Sequence, residues 1–94
     1  MEIIFHAHNA PIPERLRKRA ETAVKRVSAR LTRAVDAIVR FEQDGPVKRV
    51  EIVLRAPRQP NVVALGEGKF YGPALTTALE KLGAQVRKLH RNHK

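Results

Sequence analysis

The sequence predicts an α+β fold of element order β-α-β-β-β-α, a four-stranded sheet with two helices packed on one face. Three observations predict it. Apolar and polar residues alternate in four short stretches, apolar residues recur at helical spacing in two long ones, and turn-forming residues separate the stretches. A chain of 94 residues fits a single domain over 1–94, with 43% hydrophobic residues to supply a small core. A deep dry cavity is not expected of it, so a surface function is the starting expectation.

Ile3 and Phe5 alternate with Glu2, Ile4 and His6 in a first strand that ends at Asn9-Ala10-Pro11. Pro13 suits a first helical position and Glu14 the first turn, where the helix dipole favours an acid. Ile12, Leu16, Ala20, Ala23, Val24, Val27 and Leu31 follow at helical spacing, which predicts a helix from Pro13 to Thr32. Val35, Ala37, Val39 and Phe41 alternate with Asp36, Ile38, Arg40 and Glu42 in a second strand, and Gln43-Asp44-Gly45-Pro46 has the composition of a hairpin turn.

Val50, Ile52 and Leu54 mark a third strand. After the break at Ala56-Pro57-Arg58-Gln59-Pro60, Val62-Val63-Ala64-Leu65 reads as a fourth, leaving through Gly66-Glu67-Gly68, so that strands two to four form a meander. From Tyr71 onward Leu75, Ala78, Leu79, Leu82, Val86 and Leu89 recur at helical spacing, with Pro73 suited to the helix start. Phe5 and Phe41 fall on core-facing alternations, and Phe70-Tyr71 at the strand-to-helix junction is expected to cap the core, with contact to a partner as the alternative.

With no cysteine, thiol nucleophiles, Cys-ligated metal and disulfides are excluded. The first eight residues lack the basic and apolar regions of a signal peptide, and no apolar run approaches the ~20 residues that span a bilayer. A cytoplasmic protein with no membrane partner is therefore expected. The 19 Lys and Arg against 9 Asp and Glu, net +10, point to a polyanionic partner.

Placement of the charge narrows that partner. On a wheel of about 100° per residue, Arg15, Arg19, Arg26, Arg30 and Arg33 cluster along one flank of the first helix's apolar stripe, Lys18 and Lys25 lie farther round, and Glu14 and Glu21 fall on the other side. With Arg17 included, eight basic residues stand against two acids between Glu14 and Arg33. The second helix ends with Lys81, Arg87, Lys88, Arg91 and Lys94 and no acid after Glu80. If both helices cover one sheet face, their basic flanks would merge into a groove in which guanidinium forks meet successive phosphates. The plainer alternative is a solvated charged face, with basic residues at helix C-termini favoured by the dipole. Membrane adsorption is disfavoured because neither helix offers a spare apolar face bearing Trp or Phe. Only four aromatic residues are present, too few for a stacking sheet, so backbone and shape recognition of structured RNA fits better.

Nothing in the chain reaches a catalytic constellation. His6 and His8 face the same way on a strand, and His90 and His93 lie three apart, but neither pair has a third ligand at fixed spacing, so no metal is expected and they read as polar edge residues or phosphate contacts. Gly66-Glu67-Gly68-Lys69 lacks the G-x-x-x-x-G-K-[ST] spacing of a phosphate loop, Glu67 has no acidic partner near it, and Ser28 sits in a helix without a nucleophile elbow. No enzyme activity, cofactor or small-molecule substrate is expected.

Taken together, the chain resembles the short ribosome hibernation promoting factors and ribosome-associated inhibitors, the sigma-54 modulation protein family. Met1-Glu2-Ile3-Ile4-Phe5, leading through Asn9 to Ile12-Pro13-Glu14-Arg15-Leu16-Arg17, is similar to the family's opening strand, turn and helix start. Val50-Glu51-Ile52-Val53-Leu54, Ala64-Leu65-Gly66-Glu67-Gly68 and Glu80-Lys81-Leu82 with Gln85 and Lys88 resemble its third strand, fourth strand and second helix. The resemblance implies a fold similar to a double-stranded-RNA-binding domain, binding to the small ribosomal subunit and its RNA, and translation inhibited by occlusion of the messenger and tRNA path; the isolated protein is expected to be a monomer. It carries basic contacts onto Arg17, Lys25, Lys81 and Lys88; the other helix cations rest on the wheel. A general structured-RNA or ribosome-assembly protein is the alternative. The chain departs from the family where Lys69-Phe70-Tyr71-Gly72-Pro73 replaces an acidic, hydrophobic, Tyr, Ala, acidic stretch and Thr76-Thr77 replaces a later acid.

Overall fold

The computed structural model describes residues 1–8, 11–31, 36–57 and 59–92, the last three by their backbone alone. Along the chain lie β1 (Glu2–His8), α1 (Glu14–Ser28), β2 (Asp36–Asp44), β3 (Val47–Arg55), β4 (Val62–Gly68) and α2 (Tyr71–Asn92). The sheet order is β1-β2-β3-β4, with β1 parallel to β2 and the other neighbours antiparallel. A parallel pair needs a crossover between its strands, and α1 supplies it.

Alternation sorts the strands into two faces. Ala37, Val39, Phe41, Val50, Ile52, Leu54, Val62 and Ala64 are buried on one, under Ala20 and Val24 of α1 and Ala74, Leu75, Ala78, Leu82 and Val86 of α2. Both helices thus cover a single face, as expected. Fully buried large side chains such as Leu75 and Leu82 each stabilise the fold by about 1.5–3 kcal/mol relative to exposure.

Four boundaries differ from the expected ones, each for a local reason. Helix α1 starts one residue later, with Pro13 as its cap: the Pro13 carbonyl accepts from Leu16 N at 3.0 Å and Arg17 N at 3.1 Å. It also stops at Ser28 rather than Thr32. The buried Ser28 hydroxyl donates to the Lys25 carbonyl at 3.1 Å, and Arg30 N and Leu31 N bond three residues back, to Val27 and Ser28, so the last turn tightens out of α-geometry. The hairpin turn is only Gly45-Pro46, since Asp44 already pairs with Val47. Gly45 takes φ +59 there and Pro46 keeps a fixed negative φ, the sign pattern of a type II′ turn.

The glycines of β4 also sit differently from expectation. Gly66 and Gly68 do not lead out of β4 but pair within it, Gly66 with Val50 and Gly68 with Lys48. Gly66 is where α2 lies directly on the strand: a Cβ there would collide with the Ala74 carbonyl oxygen and come within 2.7 Å of Ala78 N. Alanines at 74 and 78, both fully buried, complete that close approach. Gln85 of α2 then donates to the Val63 carbonyl at 2.7 Å, covering part of the β4 edge.

Candidate nucleic-acid interface

The two helices run side by side in the same direction. Arg19 of α1 donates to the Gly72 carbonyl at 3.3 Å and to the Thr76 hydroxyl at 2.5 Å, while one to two turns later Thr22, Ala23 and Arg26 share a groove with Leu79 of α2. That groove, of about 460 Å³, is lined by Lys18, Arg19, Thr22, Ala23, Arg26 and Leu79 and by no carboxylate. The α1 flank singled out on the wheel is therefore the flank turned toward α2. Arg15 lies on it, one turn before Arg19, and is exposed.

The other candidate cations distribute unevenly. On α2, Arg87 falls eleven residues after Thr76, three turns along the α1-facing flank, and is exposed. Lys81 and Lys88, seven apart, share the opposite flank with Gln85, and Lys88 borders a separate depression with Pro60, Asn61, Val62 and Leu89 beside β4. Arg87 thus falls on the flank of α2 turned toward α1 but outside the residues that line the groove, whereas Lys81 and Lys88 form a second basic edge. Arg17 lies on the far flank of α1, 5.3 Å above the Phe5 ring and 3.8 Å from the Glu14 carboxylate. Lys25 is paired with Glu21 at 3.3 Å. Arg30 is exposed in the turn after α1, not on the helix as expected. Arg33 and the side chain of Arg91 lie outside the described residues.

Arg19 has a double position. Its guanidinium lines the groove but is already hydrogen-bonded across it, so it ties α1 to the first turn of α2. The signal for this was Thr76, whose hydroxyl accepts from Arg19 while donating to the Gly72 carbonyl at 3.1 Å.

Acids are segregated onto the uncovered sheet face. Glu2, Asp36, Glu42, Asp44, Glu51 and Glu67, six of the nine carboxylates, share the strand positions opposite to the core residues. The three arginines among them are engaged: Arg55 forks onto Asp36 at 2.6 Å, Arg49 meets Glu67 at 2.8 Å and Arg40 approaches Glu51 at 3.6 Å. Hydrogen bonds from Arg55 hold the Asp36 carboxyl below the usual carboxylate range. Between these charged rows Ile4, Ile38, Val53 and Val63 form one cross-strand apolar row.

The residues weighed for chemistry fall at separate places on the sheet. Glu67 serves the Arg49 pair, and His6 and His8 stand on the uncovered face opposite Arg40 and Glu42. Among the described residues no three of His, Asp and Glu form a group that could hold a metal, and no helix is long and apolar enough to cross a membrane. His93 and the side chain of His90 lie outside the described residues.

The Phe70-Tyr71 pair, expected to cap the core together, divides. Tyr71 packs edge-on against Phe41 at 5.4 Å and 73°, with Lys48 Nζ 5.8 Å from its ring centre, whereas Phe70 is 68% exposed. The Tyr71 hydroxyl is buried and has no hydrogen-bond partner among the described residues; burial, then the charge of Glu42, pushes its pKa up. Tyr71→Phe keeps the ring and removes the unsatisfied hydroxyl, so denaturant unfolding at neutral pH should find stability unchanged or raised by about 1 kcal/mol. Because the unfolded chain loses the phenolic proton first, wild-type stability should fall as pH rises from the ordinary phenol value toward the folded one. The variant should lack that component, and equal alkaline losses in both proteins would refute the assignment.

The same arrangement of sheet and helices is found in solved structures. A ribosomal subunit interface protein from Coxiella burnetii superposes with a TM-score of 0.85 at 19% identity, over 95% of this chain and 97% of that one. The N-terminal domain of Thermus thermophilus Protein Y gives 0.80 at 23% identity, over 95% and 99%. At such identities these likenesses carry the fold. No curated protein sequence matches the chain. The family model described as sigma 54 modulation protein / S30EA ribosomal protein matches residues 3–94, nearly the whole length over which the helices, the groove and the segregated sheet face are built, and the chain belongs to that family.

Proposed function

We propose that this protein is a nonenzymatic ribosome-binding inhibitor of translation that holds the small ribosomal subunit through phosphate contacts made by the helix face. The observation that carries the reading is the charge segregation: a groove lined by Lys18, Arg19 and Arg26 without a carboxylate, opposite a sheet face that holds six of the nine acids. Such a molecule presents one face to a polyanion and turns the other away, and RNA phosphate is the polyanion whose spacing suits a row of guanidinium forks. Arg15, Lys18, Arg26 and Arg87 are the central contacts, Arg19 both contacts RNA and holds the groove's shape, and Arg17, Lys25, Arg30, Arg33, Lys81, Lys88 and Arg91 contribute around them. The family's description as a ribosomal protein and the subunit-interface name of the Coxiella burnetii structure support the ribosome as the source of that RNA. Occlusion of the messenger and tRNA path accounts for inhibition without chemistry.

Sedimentation of the purified chain with separated small subunits, large subunits and free duplex RNA at physiological salt, beside an in-vitro translation assay, tests this. Selective recovery with small subunits and loss of translation are expected. Equal recovery with every RNA and undiminished translation would replace the reading with a general structured-RNA-binding module.

A further inference from the structure

Phe70 is unlike the other aromatic residues of the chain. Phe41 and Tyr71 are buried against each other and Phe5 is half-buried beneath Arg17, but Phe70 keeps 68% of its surface exposed. Neither burial nor helix capping explains it. Phe70 immediately precedes α2, and its carbonyl accepts the first helical bond, from Ala74 N at 3.3 Å. That is the cap position, where Ser, Thr, Asp or Asn is favoured because a side-chain oxygen can accept from the free N–H groups of the first turn. A phenyl ring cannot.

Its surroundings are cationic. Lys69 beside it is exposed, Lys48 stands over the neighbouring Tyr71 ring at 5.8 Å, and Arg19 reaches the Gly72 carbonyl two residues on. The first turn of α2 carries no acid. Glu67, three residues earlier, is on the uncovered sheet face and paired with Arg49. Tyr71, wedged against Phe41, pins the backbone from which Phe70 projects. A flat exposed ring therefore stands two residues before the Gly72 carbonyl that the groove's Arg19 reaches, with Lys69 and Lys48 as the neighbouring cations.

We propose that Phe70 is a stacking platform for one unpaired base of the RNA strand whose phosphates follow the groove between α1 and α2. The proposal rests on the RNA-binding reading of that groove and adds to it a contact that duplex RNA cannot make. Single-stranded RNA is recognised by splaying bases onto aromatic side chains, a contact that carries little sequence preference because every base has a π-face. The ring adds affinity without neutralising a phosphate.

The chain contains no tryptophan, so Phe70→Trp installs a single fluorescent reporter at the proposed contact. Its emission should be quenched by a single-stranded RNA oligonucleotide and by small subunits, and not by a fully paired duplex. Phe70→Ala should weaken small-subunit binding about 5- to 100-fold with the salt dependence of affinity unchanged. Phe70→Leu, apolar but not flat, should resemble Phe70→Ala, while Phe70→Trp should bind at least as well as wild type. Unchanged affinity in Phe70→Ala, wild-type affinity in Phe70→Leu, which would mean a general apolar contact with protein, or emission insensitive to single-stranded RNA would each overturn the proposal. Failure of the wild-type chain to bind small subunits would instead overturn the ribosomal reading, and the single-strand titration would still decide the role of Phe70.

Discussion

Reversing the charge at Lys18, Arg26 and Arg87 together is expected to lower affinity for small ribosomal subunits by about a hundredfold or more at physiological salt, with the fold intact. All three side chains are exposed and none is within an ion pair of the described residues, so glutamate at these positions strands no buried partner. A charge-assisted contact contributes on the order of 1 kcal/mol or more, and three lost together amount to about two decades in the binding constant. Glutamate adds repulsion to that loss. If each cation neutralises one phosphate, the log–log dependence of affinity on salt should also flatten by about two to three, at about 0.7–0.9 per phosphate. Wild-type affinity in the triple variant would remove the groove as the binding surface.

Arg19 is left out of that set on structural grounds. Its guanidinium joins α1 to Gly72 and Thr76, so Arg19→Glu would place a carboxylate against a carbonyl oxygen and loosen the helix pair. A loss of affinity there would mix lost contact with lost shape. On the helical wheel Arg19 and Arg26 are equivalent, both off the apolar stripe, and only the position of Thr76 across the groove distinguishes them.

That contrast marks what periodicity can and cannot convey. The period of two in Ala37, Val39 and Phe41 and the spacing of Leu75, Ala78, Leu82 and Val86 reflect local geometry, and the structure buries all seven as that geometry requires. The basic flank of α1 was legible for the same reason. What lay across it was not, because the facing of two helices is a tertiary relation; Arg87 falls on the α1-facing flank of α2 while Lys81 and Lys88 fall on the β4 side, although all three belong to one basic helix. The early end of α1 at Ser28 was hidden by a serine that bonds back to Lys25, where apolar spacing alone continued to Leu31. Phe70 and Tyr71 were indistinguishable as adjacent aromatic residues until the start of α2 sent one into the core and left the other out. Gly66 looked like a strand exit because a glycine that admits a helix backbone and a glycine that makes a turn are the same letter.

Gly66→Ala is expected to be the most destabilising single methyl that can be added to this chain's glycines, at about 3 kcal/mol or more. The added Cβ would collide with the Ala74 carbonyl oxygen and lie 2.7 Å from Ala78 N and 3.0 Å from the Ala74 carbonyl carbon, all backbone atoms that no rotamer change can move aside. Overpacking a core typically costs about 1–3 kcal/mol when side chains can yield, so an obstruction made of helix backbone falls at or beyond the upper end. Against a total stability of about 5–15 kcal/mol for such a domain, this would lower the melting temperature by roughly 12 °C or more. Gly72→Ala is the control, since its Cβ meets nothing within 4 Å and its backbone is helical, so that variant should match wild type or gain up to about 1 kcal/mol. Thermal unfolding that places Gly66→Ala within about 0.5 kcal/mol of wild type would contradict the close approach of α2 to β4. The consequence reaches the groove as well: α2 carries Thr76, Leu79 and Arg87, and a helix lifted from β4 moves all three relative to Arg19 and Arg26 of α1. Even the folded fraction of Gly66→Ala should therefore bind small subunits more weakly than Gly72→Ala, which places the positioning of the basic face in a glycine on the opposite side of the helix from it.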